Sequence, residues 1–260
     1  MGIFDRFKKK NEPPRRSIVG EAWEFYSYVF GEEQRASIAF DVKAAQEEAH
    51  TGHPHCRRAI LFVPEEHVGA EGLPDREELG RLGQLEKGLV EVLDAAGVDC
   101  RQVGRMTYNG LRELVFQVTD TAAFAEQAAA WKKQVKGYEV ELVEGEGWKF
   151  FDEKIRPTPQ QWRWIGDRRT RDQLLNAGSD PHKPHTFEHT FLGAPEDLAE
   201  VAEFLEGEGF LRARLGEGHL VMSRLSTLSA DDINEVTEYL REVAEDHGVD
   251  YDGWGAAVVR

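Results

Sequence analysis

The chain has 260 residues, 40% of them hydrophobic, with six Trp and fourteen Phe; that length suits one large domain or two of ~100–150 residues, and the apolar content excludes wholesale disorder. The net charge is −16, unevenly spread: residues 1–16 carry six basic and two acidic groups (+4), residues 17–156 carry 16 against 26 (−10), and residues 157–260 carry 10 against 20 (−10). Two acidic segments of that size repel a phosphate backbone, so direct nucleic-acid binding is excluded as the expected role and a basic protein segment is the better-matched partner.

The start, Met1-Gly-Ile-Phe-Asp-Arg-Phe-Lys-Lys-Lys10, places charges where the apolar core of a signal peptide belongs. Residues 1–16 therefore read as a basic, flexible tail. No apolar run approaches the ~20 residues of a membrane helix, and only two cysteines, Cys56 and Cys100, are present, so the expected location is cytoplasmic. Trp23, Phe25, Tyr26 and Tyr28, then Ser37–Val42, predict two strands around Gly31–Gln34. Arg58–Val63 predicts a buried strand. Asp75 caps a helix whose apolar positions Leu79, Leu82, Leu85, Leu89, Val92 and Leu93 recur at three and four residues as far as Gly97. Val98–Tyr108 and Leu111–Thr119 flank Asn109-Gly110, a strong two-residue hairpin signal. Asp120 caps a second helix through about Val135, and Tyr138–Val143 forms the last strand of this half.

Arg156-Pro157-Thr158-Pro159 marks the clearest boundary, because two prolines remove backbone donors there. Beyond it, Asp167 opens an amphipathic helix, His185–Leu192 reads as a strand, and Pro195–Glu208 as a helix with Leu198, Val201, Phe204 and Leu205 on one face. Phe210–Leu215 and His219–Leu225 form a hairpin around Gly216-Glu-Gly218. Ser229 and Asp232 make a capping pair for a helix packing through Ile233, Val236, Leu240 and Val243, and Tyr251–Val259 is the final strand. The order β-α-β-β-α-β thus occurs twice. The expected fold class is α+β: two ferredoxin-like sandwiches in tandem, the first with an extra β-hairpin. The expected boundaries are a tail at 1–16, a first domain at 17–155, a Pro-containing linker at 156–164 and a second domain at 165–260.

Several words in the second half fall in a recognisable order: Asp167-Arg168 opening a helix that ends Leu174-Leu-Asn-Ala-Gly-Ser-Asp180, then His185-Thr-Phe-Glu-His-Thr-Phe-Leu192, Leu205-Glu-Gly-Glu-Gly-Phe210 and Gly248-Val-Asp-Tyr-Asp-Gly-Trp254. Over nearly all of 165–260 the chain resembles the regulator of ribonuclease activity B family. The resemblance implies a ferredoxin-like, non-catalytic module that binds the endoribonuclease RNase E in its unstructured C-terminal part and restrains RNA cleavage. Gly72-Leu-Pro74, Glu77, Glu78, Leu82 and Glu86 on the following helix, and Gly110-Leu-Arg112 with Phe116 resemble an uncharacterised bacterial family, domain of unknown function family 695, which implies no activity. The classical regulators resemble the second half alone.

No catalytic constellation, nucleophile elbow, P-loop or dinucleotide-binding glycine pattern is present in the sequence. His182, His185 and His189 have metal-like spacing, but Pro181 and Pro184 break any helix and no further ligand completes a tetrahedral set. His53, His55 and Cys56 are the other metal or redox candidates, lying in a Gly- and Pro-containing loop. The pairs Glu77-Glu78 and Asp231-Asp232 are explained by helix macrodipoles. No enzyme, catalytic residue, metal or cofactor is therefore expected. Partner-binding candidates are Glu238, Glu242 and Glu245 on the last helix and Asp250, Tyr251, Asp252 and Trp254 on the last strand, with Tyr251 as the exposed aromatic anchor and Trp254 packed inward. The competing readings are a metal-dependent or hydrolytic enzyme with its site near His53, His55 and Cys56, and an adaptor with no ribonuclease link.

Overall fold

The computed structural model describes residues 17–30 and 34–260; the basic segment 1–16 and the turn 31–33 lie outside the described residues. The chain divides between Thr158 and Pro159 into two units, each with its own antiparallel sheet.

In the first unit β1 (Trp23–Phe30) and β2 (Gln34–Asp41) pair in register from Trp23↔Asp41 to Phe30↔Gln34. A short helix unforeseen in the sequence, α1 (Val42–Gln46), follows, started by the Asp41 carboxylate, which accepts from the amides of Lys43 and Ala44. Next come β3 (His55–Phe62), α2 (Arg76–Ala95), β4 (Cys100–Tyr108), β5 (Leu111–Val118), α3 (Thr121–Lys132) and β6 (Glu139–Gly145). Asp75 and Asp120 cap α2 and α3 as expected. Asn109 and Gly110 both have positive φ, 44° and 70°, the backbone that a tight two-residue hairpin needs to follow strand twist. The strand order is β1-β2-β4-β5-β3-β6.

Alternation assigns the two faces of this sheet. Ala59 and Leu61, Leu114, Phe116 and Val118, and Val140 point to one side and pack against Leu82, Leu89 and Leu93 of α2 and Phe124, Ala128 and Trp131 of α3. On the reverse face a π-helical turn, Phe151–Ile155, lays fully buried Phe151 and Ile155 against the sheet. Gly104 makes that approach possible: a Cβ there would lie 2.5 Å from Ile155 Cγ2.

The second unit is α4 (Pro159–Asn176), β7 (His185–Leu192), α5 (Pro195–Gly207), β8 (Leu211–Gly216), β9 (His219–Ser226), α6 (Ala230–Asp246) and β10 (Asp250–Ala256), with strand order β10-β7-β9-β8. Its core joins Phe191, Leu220 and Met222 of the sheet to Leu198, Val201 and Leu205 of α5 and Leu240 and Val243 of α6. A satellite cluster of Leu174, Phe187, Leu228 and Ile233 seats the end of α4.

Several expectations are corrected. The segment 156–164 is not a linker throughout, because α4 already begins at Pro159, a residue whose fixed φ and missing N–H suit the first helical position. His55 and Cys56 belong to β3 rather than to a loop. Leu79 and Phe204, expected on inward faces, are 40% and 43% exposed. In α2 the buried set is Glu78, Leu82, Glu86, Leu89 and Leu93, so the helix is rotated to bring two carboxylates inward. β10 ends at Ala256 rather than Val259.

Since each unit encloses its own buried cluster, residues 17–158 and 159–260 produced separately are expected each to melt cooperatively by circular dichroism. A half that shows no transition would mean that its core is completed by the other.

Candidate functional site

The histidine and cysteine candidates do not converge. His53 sits in the loop before β3 with φ 45° and its Nε2 3.0 Å from Asp99 Oδ1. His55 is exposed, while the adjacent Cys56 points to the opposite face and is fully buried; burial pushes its thiol up to about 11, away from the thiolate form that reacts or ligates. His182 is exposed in a loop, and His185 and His189 share the core face of β7. Among the described residues no group of three or more His, Cys, Asp and Glu side chains is arranged to hold a metal ion.

His189 is instead part of an internal aromatic layer. Its Nδ1 lies 2.8 Å from the Tyr251 hydroxyl, and Tyr251 packs on Phe191 with ring centroids 5.2 Å apart. Burial, with Arg224 nearby, pushes the His189 imidazole down to about 4. Burial likewise pushes the Tyr251 phenol upward. Tyr251 is only 9% exposed, so it is not the exposed anchor expected from the sequence. The cause is a β-bulge: the register of β10 against β7 shifts between Tyr251 and Gly253, with Asp252 as the extra residue and Gly253 at φ 120°. Residues three apart on a regular strand face opposite ways, and the bulge restores both Tyr251 and Trp254 to the core face.

Trp254 stacks on Phe187 at 4.7 Å and donates its Nε1–H to Asp167 Oδ1 at 2.9 Å. Thr237 Oγ1 donates to Asp167 Oδ2, also at 2.9 Å. The buried carboxylate therefore joins α4, α6 and β10. Burial raises its pKa, opposed by the two hydrogen bonds.

The exposed chemistry lies on the helices. α6 starts from a Ser229 cap that accepts the Asp232 amide, and it buries Ile233, Thr237, Leu240, Val243 and Ala244. That face leaves Asp231, Asp232, Glu235, Glu242, Glu245 and Asp246 exposed. Glu238 is only partly accessible, because Arg163 of α4 grips it with Nε at 3.1 Å and Nη2 at 3.0 Å. α5 adds exposed Glu196, Glu200, Glu203 and Glu206. Set among these acids is Phe204, its ring 5.6 Å from that of His247 at the end of α6. Of the residues expected to bind a partner, Glu242, Glu245, Asp250 and Asp252 are exposed, Glu238 and Trp254 are partly covered, and Tyr251 is internal. Phe204 was missed. Its three-residue step from Val201 resembles a core position, yet the inward stripe of α5 is satisfied by Leu198, Val201, Ala202 and Leu205.

Residues 164–256 match the family described as regulator of ribonuclease activity B, and residues 21–153 match a family of unknown function, DUF695. Curated relatives include proteins named "Regulator of ribonuclease activity B" from Photobacterium profundum, 37% identical over 102 residues, or 33% of this chain and 76% of the relative. The counterpart from Colwellia psychrerythraea is 37% identical over 93 residues (32% and 80%), and that from Pseudoalteromonas atlantica is 32% identical over 114 residues (38% and 93%). A crystal structure of an unknown protein from Galdieria sulphuraria aligns at 12% identity over 79% of this chain and 99% of that one, with a TM-score of 0.20 that carries no argument. Among the described residues no helix is long and apolar enough to cross a membrane.

The buried imidazole predicts a pH dependence. The folded-state pKa of His189, about 4, lies below the ordinary value of 6.5, so the unfolded chain takes up the proton first. Stability is intact above pH 6.5 and falls between 6.5 and 4, by on the order of 3 kcal/mol if this group acts alone. The raised pKa of Asp167 acts in the opposite sense, destabilising as pH rises above its ordinary 3.8. Urea titrations of residues 159–260 from pH 7 to 4.5 are expected to show a shallower acid loss in His189→Gln than in the parent; equal slopes would exclude His189 as the source.

Proposed function

The chain belongs to the regulator of ribonuclease activity B family, and from that membership we propose that residues 159–260 form a non-catalytic, protein-binding module that restrains an RNase E-type endoribonuclease by capturing a basic segment of its non-catalytic region. The observation that carries the reading is the acidic face of α5 and α6, with Phe204 as an aromatic foothold. Solvated charge pairs on such a face contribute only ~0–1 kcal/mol each, so the acids govern encounter rate and orientation. The desolvated contact that slows dissociation falls to Phe204, because an aromatic ring buries a large rigid area at low entropy cost. The same face disfavours RNA itself, as its carboxylates repel phosphates. Regulation then proceeds by occupancy of the enzyme's partner-binding segment rather than by competition for substrate or by chemistry. An adaptor role without a ribonuclease is an outcome of the test.

Surface plasmon resonance against the host's RNase E-type enzyme separates the two contributions. Glu235→Lys, Glu242→Lys and Glu245→Lys together are expected to slow association at least tenfold at low salt and hardly at all at 0.5 M salt. Phe204→Ala is expected to raise the off-rate several-fold with association unchanged. Equal low-salt association of the charge-reversed variant and the parent overturns the acidic-face mechanism. Failure of the parent to bind overturns the choice of partner.

A further inference from the structure

The three helices of the second unit lie on one side of its sheet. α5 and α6 pack on Phe191, Leu220 and Met222, and α4 reaches Phe187 through Leu174; alternation puts these four strand residues on one face. The opposite face can be read from the pairing register, because residues directly opposite in antiparallel strands point the same way. From β8 across to β10, Leu211, Ser223, Glu188 and Gly255 form one row, and Arg214, Val221, Thr190 and Gly253 form the next. His219, Leu192 and Asp250 belong to a third row, and Leu225 stands beside Thr186 at the far end. Leu211 is 70% exposed, Leu225 68% and Leu192 39%. Bulk is unevenly placed on this face. The β8 edge carries Leu211 and Arg214, whereas the β10 edge carries two glycines at which an added Cβ would meet nothing within 4 Å. Charge is sparse and divided the same way: Arg214 sits on the β8 side, and exposed Glu188 and Asp250 sit on the β7 and β10 side.

We propose that this sheet face is a self-association surface whose occupant is the same face of a second copy of the chain. Complementarity of shape and charge selects that occupant. A two-fold axis running along the strands between β7 and β9 lays β8 of one copy over β10 of the other, and the contact is closed and isologous. Leu211 then descends onto Gly255 of the second copy and Arg214 onto Gly253, so a raised edge meets a recessed one, twice in each pair. The same rotation brings Arg214 one row from Asp250 of the second copy and one strand from its Glu188. Both lie within reach of a guanidinium, which pairs readily with carboxylates. A rotation of ~30° between aligned sheets, the usual result of strand twist, preserves these neighbours. The dense acids of α5 and α6 would repel their own copy, and in this pair they point outward on both sides. Four strands ~4.8 Å apart and about seven residues long at ~3.4 Å give on the order of 450 Å² per copy. That is at the low end for a specific interface, so the pair is expected to be weak and reversible, in the range of tens of micromolar.

The test is sedimentation velocity of the full chain over a concentration series reaching about 200 μM, well above the expected dissociation constant. The parent is expected to pass from monomer to dimer across the series. Arg214→Glu alone, and Glu188→Lys with Asp250→Lys, each set like charges against each other in the homotypic pair, and each variant is expected to dimerise at least tenfold more weakly. Mixed in equal amounts, the two variants restore both opposite-charge contacts and are expected to associate about as well as the parent. Gly255→Trp, which fills the recessed edge, is expected to weaken the pair at least tenfold as well. All the altered positions lie on the open face, so melting temperatures measured at low concentration are expected to match the parent's. A parent that stays monomeric throughout overturns the proposal, and so does undiminished dimerisation of the Arg214→Glu variant, which would place the contact on another surface. A mixture no better associated than its components overturns the face-to-face pairing.

Discussion

One buried carboxylate organises the second unit. Asp167 sits on α4, outside the β-α-β-β-α-β order, and its two oxygens are occupied by Thr237 of α6 and Trp254 of β10. Dehydrating a carboxylate is unfavourable, and the raised pKa of Asp167 reflects that penalty. With two donors in place the cost is offset, and any displacement of α4 leaves a buried acid without partners, which costs several kcal/mol. Apolar contacts such as Leu174 with Phe187 and Ile233 hold α4 on the unit, but they tolerate sliding. The hydrogen bonds do not, and they set the helix's register. The Arg163–Glu238 pair one turn earlier follows from that register, and it removes Glu238 from the acidic surface.

The acidic surface is possible because the core beneath it needs so little from the helices' outer sides. α5 and α6 each present one apolar stripe to the sheet, flanked on α6 by half-buried Val236 and Tyr239, and their outermost positions carry the charge. Phe204 departs from that division. Its ring lies against His247 at the end of α6 and leaves the rest of its area to solvent among the glutamates.

The element order of both units was legible because helical period, strand alternation, caps and turn dipeptides agreed: Asp75, Asp120 and Ser229 cap where they should, and Asn109-Gly110 turns the hairpin. The misreadings have different origins. Glu86 lies on the inner side of α2 because Gln102, Arg105 and Arg112 surround it, and nothing within α2 announces those partners. Tyr251 was read as the exposed aromatic beside an inward Trp254; the bulge between Tyr251 and Gly253 changes strand parity, so the two aromatics share a side. Phe204 lay at the margin of an apolar stripe where spacing alone does not separate last-buried from first-exposed.

The π-helical turn that closes the reverse face of the first sheet fixes where two genes can be joined. Ile155 lies against Gly104, its carbonyl accepts from the Tyr26 hydroxyl at 3.1 Å, and Arg156 donates to the carbonyls of Ala45 and Glu47. The matched family region stops at residue 153, short of all three anchors. A recombination event that cut at that point would strip the last lock from the upstream sheet. Between Arg156, which anchors the first unit, and Pro159, which opens α4, lie only Pro157 and Thr158, so a join that keeps both anchors has a window hardly wider than the two prolines that mark it.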